Sequence, residues 1–267
     1  MESIKLQKYF TDCGILSRRA AEEKIRLGLV RVNGEIAYLG MRIDPERDIV
    51  EYEKKRILLP QTERICILLN KPRGYVTTLS DEKGRRTVAE LVKSVGHRVY
   101  PIGRLDMDSD GLLLLTNDGS LANRLTHPRH EIPKIYRVTV SGTVSQEQLH
   151  ALNQSMILDG YKILPVQTKQ ISFSANKYET VLEMRLYEGR NRQIRKMCEN
   201  VHLSVTRLCR IAIGEIQLGS LLQGSWRKLT DAELQYLRGE STHIEKDPPL
   251  NPIQERNSHV KSSSDSI

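Results

Sequence analysis

Residues 103–119 read Gly-Arg-Leu-Asp-Met-Asp-Ser-Asp-Gly-Leu-Leu-Leu-Leu-Thr-Asn-Asp-Gly: a polar approach, an apolar run, then a turn. The run at 112–116 has the length of a buried strand, and Asn117-Asp118-Gly119 turns the chain into a helix from Ser120. Outward from it, the spacing predicts a short strand at 65–69 and further strands at 136–140 and 180–187. The last of these places Leu182, Met184 and Leu186 on one face. A Ser145/Gln148 capping box opens a helix at 145–152, and Ile194, Met197, Cys198 and Val201 carry helical spacing over 191–201. Thr230/Glu233 opens a final helix. Strands and helices alternate without a fixed repeat.

The amino terminus has a different character. Leu6, Tyr9 and Phe10 share one face of a helix at 4–10, which Gly14 stops. Ser17 caps a second helix at 18–27, with Ala20, Ala21, Ile25 and Leu27 inward, Arg18, Arg19, Lys24 and Arg26 mostly outward, and Gly28 at its end. Val30 and Val32 alternate with Arg31, and Asn33-Gly34 signals a hairpin that returns near Ile36. Another strand fits 49–52, and the charged stretch 53–64 with Pro60 reads as a linker. Beyond Arg238 the chain turns to Pro248, Pro249, Pro252 and Ser262-Ser263-Ser264, too poor in apolar residues to fold. The 267 residues thus divide into a module at 1–60, a larger domain at 61–238 and a tail at 239–267 expected to be disordered.

A net charge of +8 points toward a polyanionic partner, nucleic acid first. Cys13, Cys66, Cys198 and Cys209 form no CxxC pair and read as reduced core thiols. Glu2, Lys5 and Lys8 interrupt the stretch a signal peptide would need, and no apolar run is long enough to span a membrane; a cytoplasmic monomer without membrane contact is expected. The glycines assemble no nucleotide-phosphate loop. His127 and His130, flanking Pro128, read as loop histidines rather than metal ligands. Neither metal nor cofactor is expected.

Three polar clusters remain: Gly103-Arg104-Leu105-Asp106, Lys134-Ile135-Tyr136, and Glu188-Gly189-Arg190-Asn191-Arg192-Gln193-Ile194-Arg195. Each lies at a strand edge or turn, where a rigid frame exposes side chains to a cleft. From spacing alone Asp106 could be a turn residue, Tyr136 a half-buried strand aromatic, and the arginines a solvated helix face. Gly103-Arg-Leu-Asp106 followed by Gly111-Leu-Leu-Leu-Leu-Thr-Asn-Asp-Gly119 resembles the signature of the bacterial RsuA/RluB/RluE/RluF-type rRNA pseudouridine synthases. Lys134-Ile-Tyr136-Arg-Val138 and Glu188 to Met197 resemble two further family segments, in the family's order. Leu6-Gln7-Lys8, Ser17-Arg18-Arg19-Ala20 and Val32-Asn33-Gly34 are similar to the small ribosomal-protein S-four-type RNA-binding module that precedes the catalytic domain there. The resemblance covers roughly residues 1–238. Ser109 departs from it, where many members carry threonine, but the hydroxyl is kept.

The resemblance implies an α+β fold: a helix-helix-hairpin RNA-binding domain, then a catalytic domain with a mixed, largely antiparallel sheet. It implies an isomerase of ribosomal RNA, the large subunit preferred over the small. It also implies Asp106 as the catalytic aspartate, Tyr136 stacking on the uracil, and Arg195 paired with Asp106. Arg104 would fill the space of the extruded base. RNA contacts are expected from Lys5, Lys8, Ser17, Arg18, Arg19, Lys24, Asn33, Lys71, Arg190 and Arg192. One rival is a non-catalytic ribosome-assembly factor on the same scaffold, against which the intact Asp106, Tyr136 and Arg195 argue. The other is a glycosidic-bond hydrolase, for which Asp108 or Asp110 would have to activate water.

Overall fold

The computed structural model describes residues 3–59, 63–126 and 132–244. In the amino-terminal part, helices α1 (Leu6–Asp12) and α2 (Arg18–Arg26) pack on a small antiparallel sheet of β1 (Val30–Val32), β2 (Glu35–Ile36), β3 (Val50–Tyr52) and β4 (Lys55–Ile57). Ser17 caps α2 as its sequence requires, accepting from the Ala20 amide at 3.2 Å. Leu6, Phe10, Ala21, Ile25, Val30 and Val50 close a core drawn only from residues 4–57. The linker begins later than its charge implies. Glu53 and Lys54, both at positive φ, make the turn of a β3–β4 hairpin that buries Ile57, so part of 53–64 is strand.

The larger part is one nine-stranded sheet. In chain order its main strands are β5 (Cys66–Lys71), β6 (Tyr100–Ile102), β7 (Asp110–Thr116), β8 (Lys134–Ser141), β9 (Gln167–Ser174), β10 (Glu179–Leu186), β11 (Val205–Ile213), β12 (Ile216–Gln217) and β13 (Trp226–Lys228). Their order across the sheet is β9-β10-β8-β11-β7-β5-β13, with β12 on β11 and β6 on β7. Every pairing is antiparallel except β11 with β7, which is parallel; the sheet is therefore mixed and largely antiparallel. Helices α3 (Gly119–Thr126), α4 (Gln146–Leu152), α5 (Gln193–Asn200) and α6 (Asp231–Arg238) pack around it.

The leucine run sits where its composition demands. Leu112 to Leu115 are all fully buried, and their alternation feeds two cores: Leu112 and Leu114 one, Leu113 and Leu115 the other. A third core lies under β8 and β10, where Val138, Val140, Leu182 and Met184 meet α5 through Ile194, Met197 and Cys198. All four cysteines are free thiols; Cys66 and Cys198 are buried as expected, whereas Cys13 and Cys209 are only partly so. Residues 239–244, expected to belong to the tail, are docked instead. Glu215 accepts from the Ile244 amide at 2.8 Å and Ile244 packs on the core of α3 and α6. The rest of the tail, together with His127 and His130, lies outside the described residues.

Candidate active site

The chain enters β7 through a loop at 103–109 whose carbonyls are held from beneath. Lys71, the last residue of β5, is fully buried, and its ammonium donates to the carbonyls of Pro72 (3.1 Å), Asp106 (3.0 Å) and Ser109 (2.8 Å). Thr77 Oγ1 donates to the Leu105 carbonyl at 2.6 Å and accepts from the Leu105 amide at 3.2 Å. The Gly74 amide donates to the Met107 carbonyl at 2.8 Å. Both backbone ends of Asp106 are thereby fixed while its carboxylate keeps 33% of its surface open. The expectation that Lys71 binds RNA is corrected: with no surface exposed it reaches no phosphate, and its charge is spent on the loop. Burial pulls its pKa down to about 8, against the opposing pull of Asp110, Asp106 and Asp108.

One close backbone approach shapes the end of this loop. Gly111 (φ +101°) lies opposite Arg210 in the parallel pairing, and a Cβ there would stand 2.3 Å from the Arg210 carbonyl oxygen. Asp110 beside it is buried, with Oδ2 accepting from Arg207 Nη2 at 2.8 Å and Gln223 Nε2 at 3.0 Å.

Helix α5 delivers two arginines from the other side. Arg192, at its amino-terminal cap in a left-handed conformation, reaches Asp108 Oδ2 at 3.2 Å and Asp106 Oδ2 at 3.9 Å. Arg195 forms an ion pair with the Asp108 carboxylate and donates to its carbonyl, each at 3.2 Å, and donates to the Val205 carbonyl at 3.4 Å, leaving its Nε without a protein partner. The expected Arg195–Asp106 pair is therefore corrected. Arg192 stands just outside the helix, at its left-handed cap, and falls nearer the Asp106 carboxylate, while Arg195 within the first turn falls on Asp108. Tyr136, half-buried on β8 beside a register shift, packs against the core that holds Leu105, immediately before Asp106.

Of the remaining expected RNA contacts, Lys5, Arg18, Arg19 and Arg104 are exposed and Lys24 is half-buried. Others are already engaged. Lys8 pairs with Asp12 at 2.5 Å, Asn33 donates to Asp48 and accepts from the Ile49 amide, both at 2.9 Å, and Arg190 lies 3.0 Å above the Tyr161 ring and pairs with Glu188. Asn33 thus holds its own hairpin turn. The buried Lys71 anchor is the functional element that motif reading misplaces, because its partners lie some 35 to 38 residues further along the chain.

A family model described as RNA pseudouridylate synthase matches residues 65–200, which enclose the loop, Tyr136 and both arginines. An uncharacterized RNA pseudouridine synthase of Aquifex aeolicus (strain VF5) is 41% identical over 239 residues, covering 89% of this chain and 94% of that protein. Ribosomal large subunit pseudouridine synthase B of Bacillus subtilis (strain 168) is 39% identical over 240 residues, covering 90% of this chain and 97% of that protein. A solved pseudouridylate synthase superposes with a TM-score of 0.61 at 30% identity, over 88% of this chain and 100% of that one.

Proposed function

The chain belongs to the RNA pseudouridylate synthase family, and on that premise we propose that it isomerises a specific uridine of large-subunit ribosomal RNA to pseudouridine. The observation that carries this reading is the Asp106 carboxylate, held open on a loop anchored by a buried lysine and flanked by Arg192. The large-subunit substrate is supported by the B-type relative, whose length this chain covers almost completely.

The reaction breaks the N1–C1′ bond, turns the freed uracil within the site, joins C5 to C1′ and releases the C5 proton, which balances the proton taken up at N1. No redox change accompanies it. As the glycosidic bond breaks the sugar gathers oxocarbenium-like charge, which a carboxylate stabilises or captures at C1′. Asp106 supplies that carboxylate, with Arg192 Nη1 3.9 Å from its Oδ2. Tyr136 stacks on the uracil and helps to remove the C5 proton. Arg195, bound to Asp108, positions the loop. A uridine must leave its stack to reach such a site, and Arg104, exposed two residues before Asp106, is placed to fill the gap. Because ribosomal RNA is its substrate, the enzyme works in the cytoplasm.

The hydrolase reading weakens at the carboxylates it needs. Asp110 is buried under Arg207 and Gln223, and Asp108, though exposed, is ion-paired with both arginines of α5. Pseudouridine mapping of ribosomal RNA from cells with and without the gene tests the proposal. Loss of one large-subunit pseudouridine is expected; an unchanged map would refute it.

A further inference from the structure

The sheet has a second charged face that the reaction does not use. Along β8, Tyr136, Val138 and Val140 point to the core under α5, so Arg137 and Thr139 stand on the opposite side. There a groove of about 530 Å³ runs over β8, β10 and β11, lined by Arg73, Arg137, Lys177 and Arg207 against a single carboxylate, Glu179. Two of the four cations are fixed in place. Arg207 is tied to the buried Asp110 at 2.8 Å, and Arg73 donates to the Thr206 carbonyl at 2.9 Å. Arg137 and Lys177 are exposed and, among the described residues, make no ion pair.

The position of the groove says what it holds. Arg207 grips Asp110, the residue through which the catalytic loop enters β7, and Arg73 precedes Gly74, whose amide holds Met107 of that loop. Through Arg207 and Arg73 the groove therefore adjoins the segments that hold the Asp106 loop, and Ser174, Lys177 and Glu179 carry its lining to the β9–β10 turn. Cations in excess of carboxylates along a track, two rigid and two free to follow a flexible ligand, match a chain of phosphates. We propose that this groove is a second RNA track, holding the phosphodiester backbone of the segment that flanks the target uridine. The proposal rests on the RNA-modifying reading above.

Full-length protein and the double variant Arg137→Ala/Lys177→Ala are titrated with a large-subunit rRNA transcript across a salt series, and pseudouridine in the same transcript is counted. Each lost phosphate contact removes about 0.7 to 0.9 from the slope of log K against log salt, so the double variant should lose about 1.5 and bind about tenfold more weakly. Lys177→Ala alone, in the exposed turn between β9 and β10, should lose about half of that slope change, and Arg137→Lys/Lys177→Arg should lose none. Unchanged affinity and slope in both alanine variants would overturn the groove. A parent that binds the transcript and forms no pseudouridine would overturn the isomerase reading instead, and the slopes would still decide the groove.

Discussion

In the proposed mechanism Asp106 and Lys71 divide the work of the site between a charge that faces the substrate and a charge that is buried beneath the loop. Asp106→Asn keeps size and hydrogen bonding but removes the negative charge that meets the developing sugar cation. Single-turnover pseudouridine formation should fall by more than about a thousandfold, while filter binding of the RNA changes less than about threefold. Near-native turnover would remove Asp106 from the chemistry. Lys71 makes a prediction with a definite sign in pH. Its proton is held less firmly in the folded protein, with a pKa of about 8, than in an unfolded chain, where lysine titrates at its ordinary 10.5. Between those values the unfolded chain binds more protons, so raising the pH through this window favours folding by way of this group. Lys71→Met should therefore lose stability at pH 7, where three carbonyls lose their donor, and the gap to the parent should widen from pH 8 to 10.5. Denaturant titrations of both proteins across that range decide it; a constant gap would show that Lys71 does not titrate there. Gly111→Ala, with φ at +101° and a neighbouring carbonyl in the way, should cost more than about 2 kcal/mol in the same assay.

At the scale of elements, helix α5 reaches the loop through Asp108, so the energetic coupling should be found there. A double-mutant cycle of Arg195→Ala with Asp108→Asn should show roughly 1 to 2 kcal/mol of interaction in stability, and Arg195→Ala with Asp106→Asn less than about 0.5 kcal/mol. The reverse ranking would restore the pairing expected from the family. How far the elements were legible follows from where their determinants lie. The leucine run, the Asn33-Gly34 hairpin and the Ser145 and Thr230 capping boxes are local signals, and each element stands within a few residues of its expected place. Strand β11 left little local trace, because Arg207 and Arg210 interrupt its apolar alternation. Arg210 is buried there with its Nε donating to the carbonyl of Leu112, distant in sequence, at 2.7 Å. Strand β9 is an exposed edge with only Thr168 buried, so pairing with β10 and the clasp of Asn153 on the Thr168 backbone, neither visible in its own sequence, define it. The residues proposed for the site, Asp106, Tyr136 and the α5 arginines, could be named from the sequence, but their pairings could not, because these depend on how a helix end and a loop meet across the sheet.

At the scale of the whole molecule, the amino-terminal module and the catalytic sheet bury separate cores, and no residue before Ile65 enters the three clusters of the larger part. A catalytic domain that owns its core should survive removal of residues 1–60, which makes the module's contribution measurable by deletion. That contribution should be electrostatic. Lys5, Arg18, Arg19 and Arg26 are exposed, no carboxylate among the described residues pairs with them, and none lies near the Asp106 loop in sequence. Deletion should weaken binding of a large-subunit rRNA transcript and lower the slope of log K against log salt by about 3, one phosphate for most of the four cations. If these residues position the RNA without reading the reacting base, the rate at saturating RNA should change far less than the affinity. The comparison is sharpest when the truncated protein and Asp106→Asn are assayed on one transcript: the first should bind weakly and turn over, the second bind well and not turn over. A truncated protein with parental affinity and parental slope would show that the module's basic residues do not touch the substrate, and would leave the catalytic domain to recognise its RNA alone.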